Sequence, residues 1–193
     1  CNAVIESLEN NDIPGLDEDL KTRFLAESLF IRAHYFYHLV QQFGDIPMPL
    51  KPTNSVETTA HKTKVDEVWN QIVTDLEFAV ENLPETYQAS EFGHITKYAA
   101  MHHLSRVYLT LKRSDDDLKK ALNYAEQVIN SGKYSLVKSH AELWDINNKN
   151  NSEVLFSVLY TQNAELNGDG NTAHMYFCSA YSEEHPAVKR VIE

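Results

Sequence analysis

Apolar positions along the chain predict five helices, of which the second is the longest and the most apolar. From Leu20 to Phe43 they recur at the three- and four-residue spacing of a helix, in two neighbouring stripes. The stripes are Leu20, Phe24, Ile31, Tyr35 and Leu39, and Leu25, Leu29, Phe36, Val40 and Phe43. Together they cover well over half of the circumference, so we expect a central helix over residues 18–43 that other helices surround. Gly44 is placed to end this helix in a left-handed conformation, and Pro47 prevents its continuation.

The four other predicted helices are shorter and have one apolar face. They are placed at residues 2–10, 64–83, 96–112 and 116–131. Thr63 and Asp66 have the spacing of a capping box at the start of the third helix. A short connection separates the last two helices, so we expect an antiparallel hairpin in which Ala100, Ala121 and Ala125 permit the close approach typical of tetratricopeptide repeats.

Residues 132–193 lack a helical period and are predicted to be irregular or extended. The apolar run Glu153–Tyr160 is too short for a core helix, so we interpret it as a buried strand or extended segment lying against the helices. Trp144 is expected to dock on the helices as well. The predicted fold is mainly α, with tetratricopeptide-like antiparallel helical hairpins on which loops and short extended segments pack. A single domain over residues 1–193 is expected, as a fragment of a longer protein.

The stretch around the end of the second helix resembles a known family signature. Glu27, Phe30, Ile31, Arg32, Ala33, Tyr35, Phe36, Leu39, Val40, Phe43, Gly44, Asp45, Ile46 and Pro47 follow the order of the E-A-x-F-L-R-A-x-Y-Y-F-x-L-V-x-x-F-G-D-I-P signature of the SusD/RagB family. Ser28 stands where that family usually has Ala. The resemblance continues through VWNQIVTDLEFAVENLP, the helix of residues 96–111 and AELWDINNKNNSEVLFSV.

This resemblance implies a function as well as a tetratricopeptide-like fold. It implies a surface-exposed lipoprotein of the outer membrane, held to the membrane only through a lipid anchor. Such a protein captures a glycan or related nutrient and passes it to a SusC-like TonB-dependent outer-membrane transporter, without chemistry of its own. A helical-repeat module that binds a peptide or protein, and no sugar, is the alternative.

Cys1 has two interpretations. It is the lipidated residue of a mature lipoprotein, or the numbering merely begins there, inside a longer protein. The second is favoured because Asn2–Leu8 resembles a helix rather than a flexible tether, and because CNAVIESLEN resembles an internal segment of the family. Cys1 and Cys178 are too few for a disulfide framework or a zinc cluster.

Composition and motifs exclude several classes of function. With 17 basic and 28 acidic side chains the net charge is −11, which repels phosphate backbones, so we expect no nucleic-acid partner. No uninterrupted apolar stretch is long enough to predict a membrane-spanning helix. His34 and His38 have the spacing of a metal pair, but no third ligand is recognisable, and we predict no metal and no cofactor. No catalytic motif is present, so the sequence predicts a binding protein rather than an enzyme.

Sugars are typically held by aromatic faces together with hydrogen-bonding side chains on loops. His174, Tyr176 and Tyr181 lie in a polar region without a period and are the candidate ligand-binding residues. His103 falls on the apolar face of its helix, where we expect a hydrogen-bonded core histidine.

Overall fold

The computed structural model describes residues 1–10, 12–56, 59–145, 147–148 and 150–159. Residues 1–156 form one compact unit, and a second unit begins at Ser157. The described part contains six α-helices, one 3-10 turn and no β-strand. They are α1 (Asn2–Glu9), α2 (Glu18–Phe43), α3 (Val65–Asn82), the 3-10 turn Ala89–Glu91, α4 (Lys97–Leu111), α5 (Asp115–Asn130) and α6 (His140–Leu143). The prediction of a mainly α fold is confirmed, whereas the single domain stays a prediction.

Both ends of α2 are fixed by local hydrogen bonds. The side chain of Asp17 accepts from the backbone N–H groups of Asp19 at 3.0 Å and Leu20 at 3.2 Å, which an uncapped helix leaves unpaired. At the other end Gly44 has a φ of 66°, and its N–H donates to the Val40 carbonyl at 2.9 Å. A residue with a side chain adopts this φ only with strain, so the glycine ends the helix as predicted.

Two helical hairpins make up the frame. α2 packs on α3 and α4 packs on α5, while α3 joins the pairs and α1 covers part of α2. In the second hairpin Ser105 of α4 donates to the carbonyl of Ala121 in α5 at 2.7 Å. Thr96, before α4, lies 3.2 Å from the hydroxyl of Tyr134, beyond α5, so the two helices are antiparallel as predicted.

Alternate helices of the frame run in the same direction. Phe30 in the middle of α2 contacts the ring of His103 in α4. Further along both helices, the hydroxyl of Tyr37 lies 3.4 Å from that of Thr110. Antiparallel neighbours with parallel next neighbours are the arrangement of tetratricopeptide repeats.

α2 buries only one of its two predicted apolar stripes, the second, through Leu29, Phe36 and Val40. Its buried side chains are Ala26, Leu29, Phe30, Ala33, Phe36, Tyr37 and Val40, which lie toward the neighbouring helices. Leu20, Ile31, Tyr35, Leu39 and Phe43 are exposed, so α2 is not surrounded within the described residues. The prediction favoured bulky side chains, whereas fully buried alanines mark where helices approach most closely.

The same error affects α5, where only Ala121 and Val128 of the predicted face are buried. Leu122 and Ile129 are exposed.

The predicted capping box at the start of α3 is wrong. Thr63 instead forms a single bridge with Ile46, whose carbonyl accepts the Thr63 N–H at 2.8 Å. The Thr63 side chain does not cap the helix. The cap comes from Asp45, whose Oδ1 accepts the Val65 N–H at 2.9 Å, while its Oδ2 accepts from Lys64 Nζ at 3.0 Å. A residue just after α2 therefore positions the start of α3 across the long connection.

Of the two interpretations of Glu153–Tyr160, the buried strand is wrong for the residues described, whereas a segment lying against the helices agrees with the structure. Leu155 and Phe156 are half-buried and pack against the helical core, without strand pairing. A short apolar run looks the same in sequence whether it pairs in a sheet or lies on helices, since packing decides the outcome.

Candidate functional site

The predicted ligand-binding residues His174, Tyr176 and Tyr181 lie outside the described residues. The described part offers three other places of interest, which are a polar groove, a cluster of histidine and aromatic rings, and an exposed tryptophan.

The polar groove lies between the first turns of α2 and the segment that follows α3. Its volume is about 420 Å³, within the range of small-ligand sites. It is lined by Asp19, Arg23, Asn82, Leu83, Pro84, Thr86, Tyr87, Gln88 and Glu91. The groove exists because α3 ends before Pro84, which cannot continue a helix, and the chain then returns toward α2.

Arg23 is held in place at one wall of this groove. Its Nη1 donates to Glu91 Oε1 at 3.0 Å, and its Nε lies 3.6 Å from Glu27 Oε1. The guanidinium also stacks on the rings of Tyr87, at 5.1 Å, and Phe24, at 5.4 Å. Contacts on several sides leave the arginine little rotamer freedom, so it presents a fixed cationic donor.

Glu27 organises the polar groups behind the arginine. Its Oε1 accepts from the Tyr87 hydroxyl at 2.9 Å and lies 3.0 Å from His94 Nδ1. The Tyr87 hydroxyl is also 3.1 Å from the Ile95 carbonyl. Burial, and then the Glu27 carboxylate, raise the pKa of Tyr87. The phenol therefore stays protonated and acts as a donor near neutral pH.

The second place is a cluster of rings between α2 and α4. The His103 ring centroid lies 4.9 Å from that of Tyr37 and 5.3 Å from that of His34, which in turn lies 4.7 Å from His38. Phe156 closes the cluster over His34 at 5.7 Å.

Burial, followed by the charges of His34 and Arg106, lowers the pKa of His103 to about 3. Burial lowers the pKa of His34 as well. Among the described residues no partner reaches the buried Nε2 of His103, so it is a core histidine, as predicted, but lacks the expected hydrogen bond there. No group of three acidic, histidine or cysteine side chains in the described part is arranged to hold a metal ion.

The third place is Trp144, which does not dock on the helices as predicted. It is 73% exposed, and its indole Nε1 donates to His140 Nε2 at 2.9 Å, one helical turn earlier. The prediction assumed that a large ring near a helix end fills the core. α6 is only a single turn, and the Trp144 ring that follows it is exposed.

Comparison with known proteins agrees with this helical frame. A family described as starch-binding and associating with the outer membrane matches residues 1–109. The chain belongs to the SusD-like family. The curated SusD-like protein P25 of Formosa agariphila is 26% identical over 159 residues, which is 82% of this chain but 29% of that protein.

Two solved structures of this kind share the fold. A laminarin-binding SusD-like protein is 29% identical with a TM-score of 0.72, and the match spans 83% of this chain and 35% of that protein. A structure with xylogluco-oligosaccharide is 26% identical with a TM-score of 0.74, and the match spans 83% of this chain and 32% of that protein. The SusD-like chain described here thus spans about a third of the length of its relatives.

The groove of this SusD-like chain was not predicted from the sequence. Arg23 lies 68 residues before Glu91, and only the fold brings it to the segment that carries Tyr87 and Glu91. Glu27 offered a signal, since a carboxylate inside an otherwise apolar signature is expected to have buried partners.

Proposed function

We propose that this is a non-catalytic cell-surface protein that binds a glycan and delivers it to a SusC-like TonB-dependent transporter of the outer membrane. The observation that carries the proposal is the match of residues 1–109 to a family described as starch-binding and associating with the outer membrane. Relatives with a bound xylogluco-oligosaccharide and with laminarin-binding activity support a glycan as the ligand.

The polar groove supports the same class of ligand. Amide, carboxylate and guanidinium groups surround it, and these are the groups that hydrogen-bond sugar hydroxyls. The side-chain amide of Asn82 donates to the Phe78 carbonyl at 2.8 Å, which orients its oxygen acceptor. A fixed arginine and an oriented amide reduce the ordering cost of binding a flexible oligosaccharide.

The remaining parts of the proposal rest on the family resemblance. They are attachment to the outer membrane through a lipid and delivery to the transporter. Ligand contacts from His174, Tyr176 and Tyr181 are proposed from their residue types in a polar region without a period. Of the helices that the structure describes, none has the length and apolarity needed to cross a membrane.

Isothermal titration calorimetry tests glycan binding. The chain is titrated with laminarin and xyloglucan oligosaccharides and with soluble starch, and saturable heat is expected with at least one. Gln88→Ala, at the groove, is expected to weaken binding, whereas Lys119→Ala, on the exposed side of α5, is expected to leave it unchanged. No heat with any glycan overturns the proposal in favour of a protein-interaction module.

Two further measurements test the other parts. Chromatography of oligosaccharides after long incubation is expected to show no cleavage products, and turnover would refute the non-catalytic role. Detergent-solubilised outer membranes are expected to yield a TonB-dependent transporter on immobilised chain, and its absence removes the delivery step.

A further inference from the structure

We infer that Trp144 is a stacking platform for one pyranose ring of a neutral glycan. The inference rests on the proposed function and adds to it a specific contact residue, outside the polar groove. It is carried by the exposure of the ring and by the hydrogen bonds that fix it.

The two tryptophans of the chain lie in opposite environments. Trp69 is in the core at 8% exposure, whereas Trp144 is 73% exposed. An indole has the largest apolar surface of any side chain, so leaving it in water is unfavourable unless a ligand or partner covers it. An exposed aromatic face is also what packs against the C–H surface of a pyranose ring.

The turn that carries the ring is capped at its start. Ser139 Oγ accepts the backbone N–H of Glu142 at 3.2 Å, and Glu142 Oε2 accepts the N–H of Lys138 at 3.3 Å. These two bonds resemble a capping box, except that Glu142 accepts the N–H of the residue before the N-cap. The hydrogen bond from the indole to His140 then fixes the direction of the ring on this turn.

Asparagine side chains hold the turn from the other side. Asn148 Nδ2 donates to the Glu142 carbonyl at 3.2 Å, and Asn151 Nδ2 donates to the Asn148 carbonyl at 3.0 Å. Asn151 is buried, and its Oδ1 accepts the N–H of Glu153 at 3.0 Å. A ring fixed before binding loses little conformational entropy when a ligand stacks on it, which favours affinity.

The charge of the chain selects among glycans. A net charge of −11 repels uronate and sulfated polysaccharides, while stacking on an indole needs no charge on the ligand. We therefore assign the platform to a neutral hexopyranose, such as a glucose unit of a glucan. Asn147, three residues after Trp144, has its amide nitrogen 3.2 Å from Asp145 Oδ1, which leaves its oxygen as an acceptor for a sugar hydroxyl.

Tryptophan fluorescence tests this assignment directly. The chain is titrated with laminarin and xyloglucan oligosaccharides, with oligogalacturonate as the anionic comparison. A neutral ligand is expected to shift the emission to the blue and to protect it from acrylamide quenching, because the exposed ring becomes covered. Trp144→Phe, in which only the core Trp69 emits, is expected to lose the emission change.

Affinity measured by calorimetry completes the test. Trp144→Ala is expected to weaken binding of a neutral oligosaccharide by about 5- to 100-fold, in the range found for stacking on aromatic side chains. Phe43→Ala removes a comparably exposed ring, 65% exposed, at the end of α2 and is expected to change the affinity less than twofold.

The outcomes separate this inference from the proposed function. Glycan binding that survives Trp144→Ala with unchanged affinity overturns the inference and leaves the proposed function standing. The absence of glycan binding in the unmodified chain overturns both. Protection of Trp144 from quenching by a protein partner alone, without any effect of sugars, assigns the ring to a protein interface and also overturns the inference.

Discussion

Arg32 of α2 and Asp75 of α3 form a bidentate ion pair inside the first helical hairpin. Nε donates to Asp75 Oδ2 at 2.8 Å and Nη2 to Oδ1 at 2.7 Å, and Gln71 adds a third bond to Oδ1 at 2.8 Å. The two side chains are 10% and 2% exposed. Because a buried charge is tolerated only when paired, the pair fixes the position of α2 along and around α3.

Breaking this pair is expected to destabilise the protein strongly. Asp75→Ala leaves the Arg32 guanidinium buried and unpaired, and we expect the free energy of unfolding in urea to fall by about 3–5 kcal/mol. The matched control is Asp116→Ala, which removes a surface pair with Lys120 at 3.5 Å and is expected to change stability by less than about 0.5 kcal/mol. Equal losses in the two variants would contradict the assignment.

Asp45 is expected to control the start of α3. Asp45→Ala removes the acceptor of the Val65 N–H, so that amide should exchange with solvent faster in hydrogen-exchange mass spectrometry. Asp66→Ala, at the position of the predicted capping box, is the control and should leave the exchange of Val65 unchanged. Equal exchange of the Val65 amide in the two variants would contradict the role of Asp45 as the cap.

Asp45 also gives a pH dependence with a defined sign. The hydrogen bonds from Lys64 and Val65 lower the pKa of Asp45 below its usual 3.8. Its stabilising contribution is therefore present above pH 3.8 and is lost as the pH falls through the lower, folded-state pKa. Unfolding curves at stepwise lower pH should show a larger loss of stability below pH 3.8 in the unmodified chain than in Asp45→Asn.

The histidine cluster should make stability depend on pH in a different window. The unfolded chain binds a proton at His103 near pH 6.5, while the folded chain does so only near 3, so stability falls as the pH drops between these values. One such proton corresponds to a slope of about 1.4 kcal/mol per pH unit. His103→Phe keeps a ring beside Phe30 and Tyr37 and should reduce the slope by that amount between pH 5 and 6. An unchanged slope would refute the burial of a neutral imidazole.

Tyr87→Phe should lower the free energy of unfolding by about 0.5–1.5 kcal/mol, because Glu27 loses a buried donor. Thermal and urea unfolding measure the change. Tyr35→Phe serves as the control, since its hydroxyl is on an exposed side chain with no hydrogen bond inside the described part of the chain. A control effect as large as that of Tyr87→Phe would contradict the role of this hydroxyl.

Helix positions were predictable from the sequence because their signals are local. The apolar period, Asp17 before α2 and Gly44 after it are all within a few residues of the ends they determine. The ends of α3 and α4 were equally close to prediction, since Pro84 and Thr96 act on neighbouring residues.

Contacts between distant residues were not predictable in the same way. The predicted cap of α3 was wrong because the Val65 N–H is accepted by Asp45, 20 residues earlier, and not by the neighbouring Thr63. Asp75 was not predicted to be buried because it is charged, although its helical spacing from Ile72 and Ala79 places it on the buried face. The groove itself was not predictable, since it forms between two segments that meet only in the folded chain, and Glu27 indicated only that buried partners exist.

The pairing of Ile46 with Thr63 closes the long connection between α2 and α3 at its base. The two helices that it links are thereby held by residues outside the connection itself. Loop-closure entropy rises by only about 0.6 kcal/mol for each doubling of loop length. Asn2 of α1 donates to the carbonyls of Pro49 and Lys51. The part of the span after Lys51 is thus a tolerant position for grafting an epitope or a label, and for natural variation in length.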